Sequence, residues 1–211
     1  MKAVTRRSAL AVSALILGAA GAAYGPAALS AGQSASATTA STTSIPAADK
    51  NFAMKAAEGG MGEVELGKLV QSKAQSDQVK SFAERMVKDH SAAGDKLKDV
   101  ASKDGLQLPS KMDSSSQKLM DKLQKLSGAD FDKAYMNAMV TDHQKDIKEF
   151  EHESKSGRNS DLKQFATDTL PTLREHLSLA QQAKTAAMNE ARGSSMQKQA
   201  SSSSTSTNKM Q

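Results

Sequence analysis

The stretch Val79-Lys80-Ser81-Phe82-Ala83-Glu84-Arg85-Met86-Val87-Lys88-Asp89-His90 decides the fold. Its apolar residues recur at spacings of three and four, and the pattern continues through Ala93, Leu97 and Val100. That is one face of an amphipathic α-helix. At about 25 cal/mol per Å² of buried apolar surface, such a stripe is enough to anchor an independent core. One residue interrupts it: His90 falls four after Met86 and seven before Leu97, so an imidazole points where aliphatic carbon belongs.

Outward from this helix the same periodicity predicts three more. Helix A spans about Asn51 to Gln75, helix B Asp77 to Asp104, helix C Asp130 to Ser156 and helix D Asp161 to about Arg192. Ser76-Asp77 and Ser160-Asp161 offer N-cap oxygens, and Gly105 and Gly157 stand where left-handed C-caps belong. The A–B and C–D connections are only a few residues, which makes each pair an antiparallel hairpin. The link from Gly105 to Gly128 is longer and carries a short helix with Leu119, Leu123 and Leu126. It is long enough to run back along the bundle, although up-down connectivity stays open.

Composition agrees with an all-α chain. Aromatic residues make up 3% of the 211, with no Trp and two Tyr, which argues against aromatic-rich and β-branched sheets. The net charge of +5 includes Lys2, Arg6 and Arg7, all ahead of the first acidic residue, Asp49; without them it is +2, too little to suggest a nucleic-acid partner. Those cations precede an apolar run from Ala9 to Ala23 and small residues with candidate cleavage points after Ala31 or Ala37. This is the layout of an export signal, and it places the chain in the periplasm or medium, with no stable membrane span once the signal is removed. There is no cysteine, so the exported domain has no disulfide to lean on. The resulting division is an export signal and cleavage region at 1–37, a flexible Ser/Thr/Ala linker at 38–49, a four-helix bundle at 50–192 and a disordered Ser-rich tail at 193–211.

The chemistry is carried by polar residues on the apolar faces. At 100° per residue His143 sits amid Met136, Met139, Val140, Ile147 and Phe150, and His176 shares a face with Phe165, Leu173, Ala180 and Ala183. Glu63 aligns with Phe52, Ala56, Gly59, Leu66 and Val70. His152 falls on the outer side. Counted from the turns, Glu63 lies 13 residues before Ser76 and His90 14 after it; His143 lies 15 before Arg158 and His176 18 after it. One inward polar residue per helix, all at one level to within about one 5.4 Å turn, is a ligand set for a single transition-metal ion, Zn, Cu or Fe: Glu63, His90, His143 and His176. Gly59 and Gly60 would permit close approach of the helices to such a site. Asp89, Asp142 and Glu175 each precede a histidine, and from the helix flank each can orient an imidazole on a neighbouring helix. Without an ion, the same cluster would be a set of hydrogen-bonded core groups that fix helix register in a structural or stress-associated envelope protein. No nucleophile pattern or phosphate loop is present, and no substrate pocket is legible, so a non-enzymatic role is expected.

The strings Phe52 to Gly67, Phe82 to His90, Tyr135 to His143 and Leu170 to Leu177, taken in order, resemble the secreted bacterial domain-of-unknown-function family numbered 4142. The resemblance covers about residues 50–187. It implies a ferritin-like four-helix fold, with the short extra helix in the B-to-C connection, and an exported protein, often labelled an outer membrane protein; it implies no settled activity. Met-Val-x-Asp-His occurs twice, at Met86–His90 and Met139–His143, as either a trace of duplication or a coincidence of two amphipathic helices. Di-iron bundles carry Glu-x-x-His pairs, whereas Val87, Val140 and Leu173 precede these histidines by three, which favours one ion over two.

Overall fold

Asp132 and Asp49, two buried carboxylates, mark the two ends of the structure and reveal the direction of every long helix. The computed structural model describes residues 44–207; the export signal assigned to 1–37 lies outside them. The described residues form α1 (Ala47–Lys73), α2 (Asp77–Lys103), α3 (Ser114–Gln124), α4 (Gly128–Ser156) and α5 (Ser160–Thr207), with no strand among them. At one end the Asp132 carboxylate, near the start of α4, accepts from the backbone N–H groups of Gln75 and Ser76 in the α1–α2 turn. At the other, Asp49 in the first turn of α1 accepts from the N–H groups of Arg158 and Asn159 in the α4–α5 turn. The Asn159 amide also reaches Asp104, just past α2.

Helix α4 therefore runs antiparallel to α1 and parallel to α2, and α5 runs antiparallel to α2 and α4. Packing follows the same order: α1 lies against α2 and α4, and α5 against α4 and α2. The chain leaves α2 at the Asp49 end and enters α4 at the Asp132 end. The intervening segment crosses back along the length of the helices, with Leu106 and Leu108 packed at one end and Met120 and Leu123 buried at the other. Connectivity is thus the crossover form, not up-down. The reason is local: Asp113 caps α3 by accepting from the Ser115 and Ser116 N–H groups, and Lys73 holds the end of α3 through the Leu123 and Gln124 carbonyls.

Several boundaries differ from those expected. Asp49, assigned to the linker, is buried within α1 because its carboxylate is needed by the α4–α5 turn. Ser76 makes no side-chain cap, and α5 is capped by the Asn159 side chain instead of Ser160. Gly105 does adopt the left-handed conformation (φ +64°), but Gly157 does not; there a Cβ would lie 2.5 Å from Glu153 Oε1. Helix α5 continues through 193–207, where a flexible tail was expected, because after Gly193 there is no further glycine and no proline to stop propagation. Among the described residues no helix is long and apolar enough to cross a membrane.

The core divides into two apolar clusters. Leu66, Val70, Phe82, Met86, Phe131, Tyr135, Met136, Met139 and Ala180 pack toward the Asp132 end; Phe52, Leu97, Phe150, Leu162, Phe165 and Leu173 pack toward the Asp49 end. On every long helix the inward polar residue stands between members of the two clusters.

Candidate metal centre

A layer of four polar side chains separates the two halves of the core. Glu63, His90, His143 and His176 are all buried, each delivered by a different long helix, whereas His152 is exposed. The structure brings the four together. The ring centroids of His90, His143 and His176 are 5.2 to 5.7 Å apart, and one ring nitrogen from each lies within 4.8 Å of the others. Glu63 Oε2 is 2.9 Å from His90 Nδ1, and Glu63 Oε1 is 3.6 Å from His143 Nδ1.

The oxygens around the rings determine where their protons sit. His143 Nδ1 is 2.9 Å from the Met139 carbonyl, which can only accept, so Nδ1 carries the hydrogen. His176 Nε2 is 3.0 Å from Asp89 Oδ2. Burial pushes the Asp89 carboxyl up, but hydrogen bonds from Arg85 and His176 outweigh it and hold Asp89 below the usual range, ionised and accepting. His90 Nδ1 stands 2.9 Å from Glu63 Oε2. All three imidazoles are held neutral: burial lowers His90 to about 4 and also lowers His143 and His176, against the opposing pull of Glu63 and Asp89 respectively. A neutral ring that donates from one nitrogen bears a lone pair on the other. The lone pairs therefore fall on His143 Nε2 and His176 Nδ1, 3.3 Å apart, while His90 Nε2 is buried with no hydrogen-bond partner.

The three imidazoles form one group of possible ligands; Glu63 belongs to a second, with His143 and Asp146, and its Oε1 is buried with no hydrogen-bond partner. Burial, opposed by His143 and reinforced by Asp142 and Asp113, raises its pKa to about 7. Of the three acids that precede a histidine, Asp89 does orient the ring of a neighbouring helix. Glu175 acts one step further out, accepting at 3.0 Å from Arg85, which in turn pairs with Asp89. Asp146 escaped the sequence reasoning. It lies within 4.8 Å of ligand atoms of Glu63 and His143, and burial together with Glu63, Asp142 and Glu149 raises its pKa to about 8. Its signal was present in the sequence: it follows His143 by three, on nearly the same face.

A cavity of about 1160 Å³ opens beside this layer and touches both Glu63 and His90. No feature of the sequence had indicated it. Gly59 and Gly60 line it, and a Cβ built at either meets no atom within 4 Å. They do not allow helices to approach, as expected from their position; they face open space. The close approach is made at Gly67, where a Cβ would lie 2.7 Å from Val87 Cγ2 and 3.1 Å from the Ala83 carbonyl.

Comparison with known proteins supports the reading of the four sequence motifs. A family model described as a domain of unknown function, DUF4142, matches residues 34–183 and so includes all four inward polar positions. No curated protein matches the chain. A crystal structure of a DUF305 fragment from Deinococcus radiodurans is similar with a TM-score of 0.59 at 11% identity, over 67% of this chain and 97% of that one, a likeness that speaks for the helical fold alone. With the family model covering most of its length, this protein belongs to the DUF4142 family.

Proposed function

We propose that this protein is an exported, ferritin-like helical bundle that binds one transition-metal ion, Zn, Cu or Fe, through His90, His143 and His176, with Glu63 as the carboxylate partner of the site. The observation that carries this reading is the meeting of three buried imidazoles, one nitrogen of each within 4.8 Å of the others, with the lone pairs of two of them face to face. The remote nitrogen donates to the Met139 carbonyl in His143 and to Asp89 in His176, and His90 Nδ1 stands 2.9 Å from Glu63 Oε2. This anchoring of the remote nitrogen is how metal-bound imidazoles are held. Two imidazole lone pairs 3.3 Å apart repel one another unless a cation lies between them. Nitrogen ligands at roughly 2.0 to 2.1 Å from a zinc-sized ion would stand about that far apart. The crossover connectivity supports the ferritin-like description, and the leader-like residues 1–37 support a periplasmic or secreted location.

The test is thermal. Metal-free protein is melted with added Zn, Cu, Fe or Mn salts; an ion bound only by the folded state at a hundred times its Kd adds about 2.7 kcal/mol. A shift with none of them would overturn the reading. It would favour the structural alternative, in which the link Glu175–Arg85–Asp89–His176 serves to lock α2 against α5.

A further inference from the structure

Helix α1 contains four glycines between Gly59 and Gly67, and the structure accounts for only two of them. Gly67 lies against α2 and Gly62 against Ser116 of α3, and a Cβ at either would collide. Gly59 and Gly60, consecutive in the middle of a long helix, weaken it and gain no packing in return, because nothing stands within 4 Å of where their side chains would begin. What they border is the 1160 Å³ cavity, somewhat larger than the usual pocket for a drug-sized molecule. Its walls include Phe52, Ala56, Leu108 and Phe150, and it reaches His90, which is 92% buried and whose Nε2 has no partner.

We propose that this cavity binds a small molecule with an apolar body and one neutral donor atom, the donor completing the coordination of the ion held by the three histidines. The proposal rests on the metal reading given above. Three imidazoles leave a tetrahedral ion one position short, and an open position is the mark of an ion that meets a ligand. The side chains of Phe52, Leu108 and Phe150 supply the apolar contact, and the missing side chains at Gly59 and Gly60 supply the room. The donor must be neutral, because the carboxylates Glu65, Asp95, Asp113 and Glu149 on the cavity walls outnumber Lys55, Lys98 and Lys111 and disfavour an anion.

The test uses the full chain loaded with Co(II), whose visible absorption reports the ligands of the ion, and three probes: 4-phenylimidazole, imidazole and azide. 4-Phenylimidazole is expected to bind at least tenfold more tightly than imidazole, and azide more weakly than either. In Gly60→Leu, where a side chain enters the cavity, the advantage of 4-phenylimidazole over imidazole should fall at least fivefold with Co(II) uptake unchanged. Equal binding of 4-phenylimidazole and imidazole, or an advantage untouched by Gly60→Leu, would overturn the proposal. Gly59→Leu is the second variant if Gly60→Leu does not fold. A protein that takes up no Co(II) overturns the metal reading and the donor role with it. The cavity is then decided in metal-free protein by naphthalene: a rise in Tm that Gly60→Leu abolishes supports an apolar-body site, and no rise sinks it.

Discussion

His143 Nε2 and His176 Nδ1 face each other across 3.3 Å while the far nitrogen of each ring is already engaged, one by the Met139 carbonyl and the other by the Asp89 carboxylate. Neutral rings held this way present two lone pairs to the same point. A cation between them would relieve their repulsion, and His90 stands beside them with one ring nitrogen within 4.8 Å of theirs.

His143→Ala is expected to remove metal stabilisation entirely. His143 is fully buried, so the substitution also costs about 2 to 4 kcal/mol in metal-free protein through the void it leaves. Melting curves with and without zinc separate the two effects: the wild type should gain several degrees from the ion and the variant none. A variant that still responds to zinc like the wild type would show that the ion binds elsewhere.

Asp89→Asn keeps the shape of the side chain but removes the charge that holds both Arg85 and His176 Nε2. Metal affinity should fall roughly 10- to 100-fold, the usual effect of losing a partner behind an imidazole ligand. Competition against a chelator of known affinity measures it, and circular dichroism checks that the helices persist. Unchanged affinity would mean that His176 needs no fixed orientation.

Glycines on α1 should respond in opposite directions. Gly67→Ala forces a methyl group to 2.7 Å from Val87 and 3.1 Å from the Ala83 carbonyl, which should cost about 1 to 3 kcal/mol. Gly59→Ala meets open space and should stabilise the helix by about 0.5 to 1 kcal/mol. Urea denaturation of both variants tests the pair. Destabilisation by Gly59→Ala would indicate that the open volume is not where the structure has it.

Glu153 introduces a pH dependence far from the metal layer. Burial, then the neighbouring Asp49 carboxylate, raises its pKa to about 7 against a partial pull from Lys163, and its Oε1 has no hydrogen-bond partner. The folded protein therefore holds this proton more tightly than the unfolded chain does, and stability falls as pH rises from about 4.5 to about 7. Glu153→Gln is expected to raise Tm at pH 8 by an amount equivalent to about 1 to 3 kcal/mol and to leave it unchanged at pH 4. Equal effects at both pH values would rule out ionisation as the cause.

Much of this was legible before any coordinate. Spacings of three and four define the helical stripes, a helix turns by the same 100° at every residue, and counting from a turn measures height along the axis. These are local properties. They were enough to single out Glu63, His90, His143 and His176, one from each long helix, and to place them at a common level. Helix ends were harder to read, because capping depends on which group arrives from elsewhere. The α1–α2 turn gives its Gln75 and Ser76 N–H groups to Asp132 of α4, and Asp49 was drawn into α1 by the turn 109 residues away.

The sequence by itself determined the all-helical class and the inward direction of each polar side chain, since both follow from periodicity along a single helix. Only the tertiary structure decided which nitrogens His143 and His176 turn to each other, that Asp146 joins Glu63 and His143, that the link crosses back to the far end, and that Gly59 and Gly60 border a cavity. Each of those depends on the rotation and spacing of one helix relative to another, and no pattern within one helix encodes the distance to its neighbour.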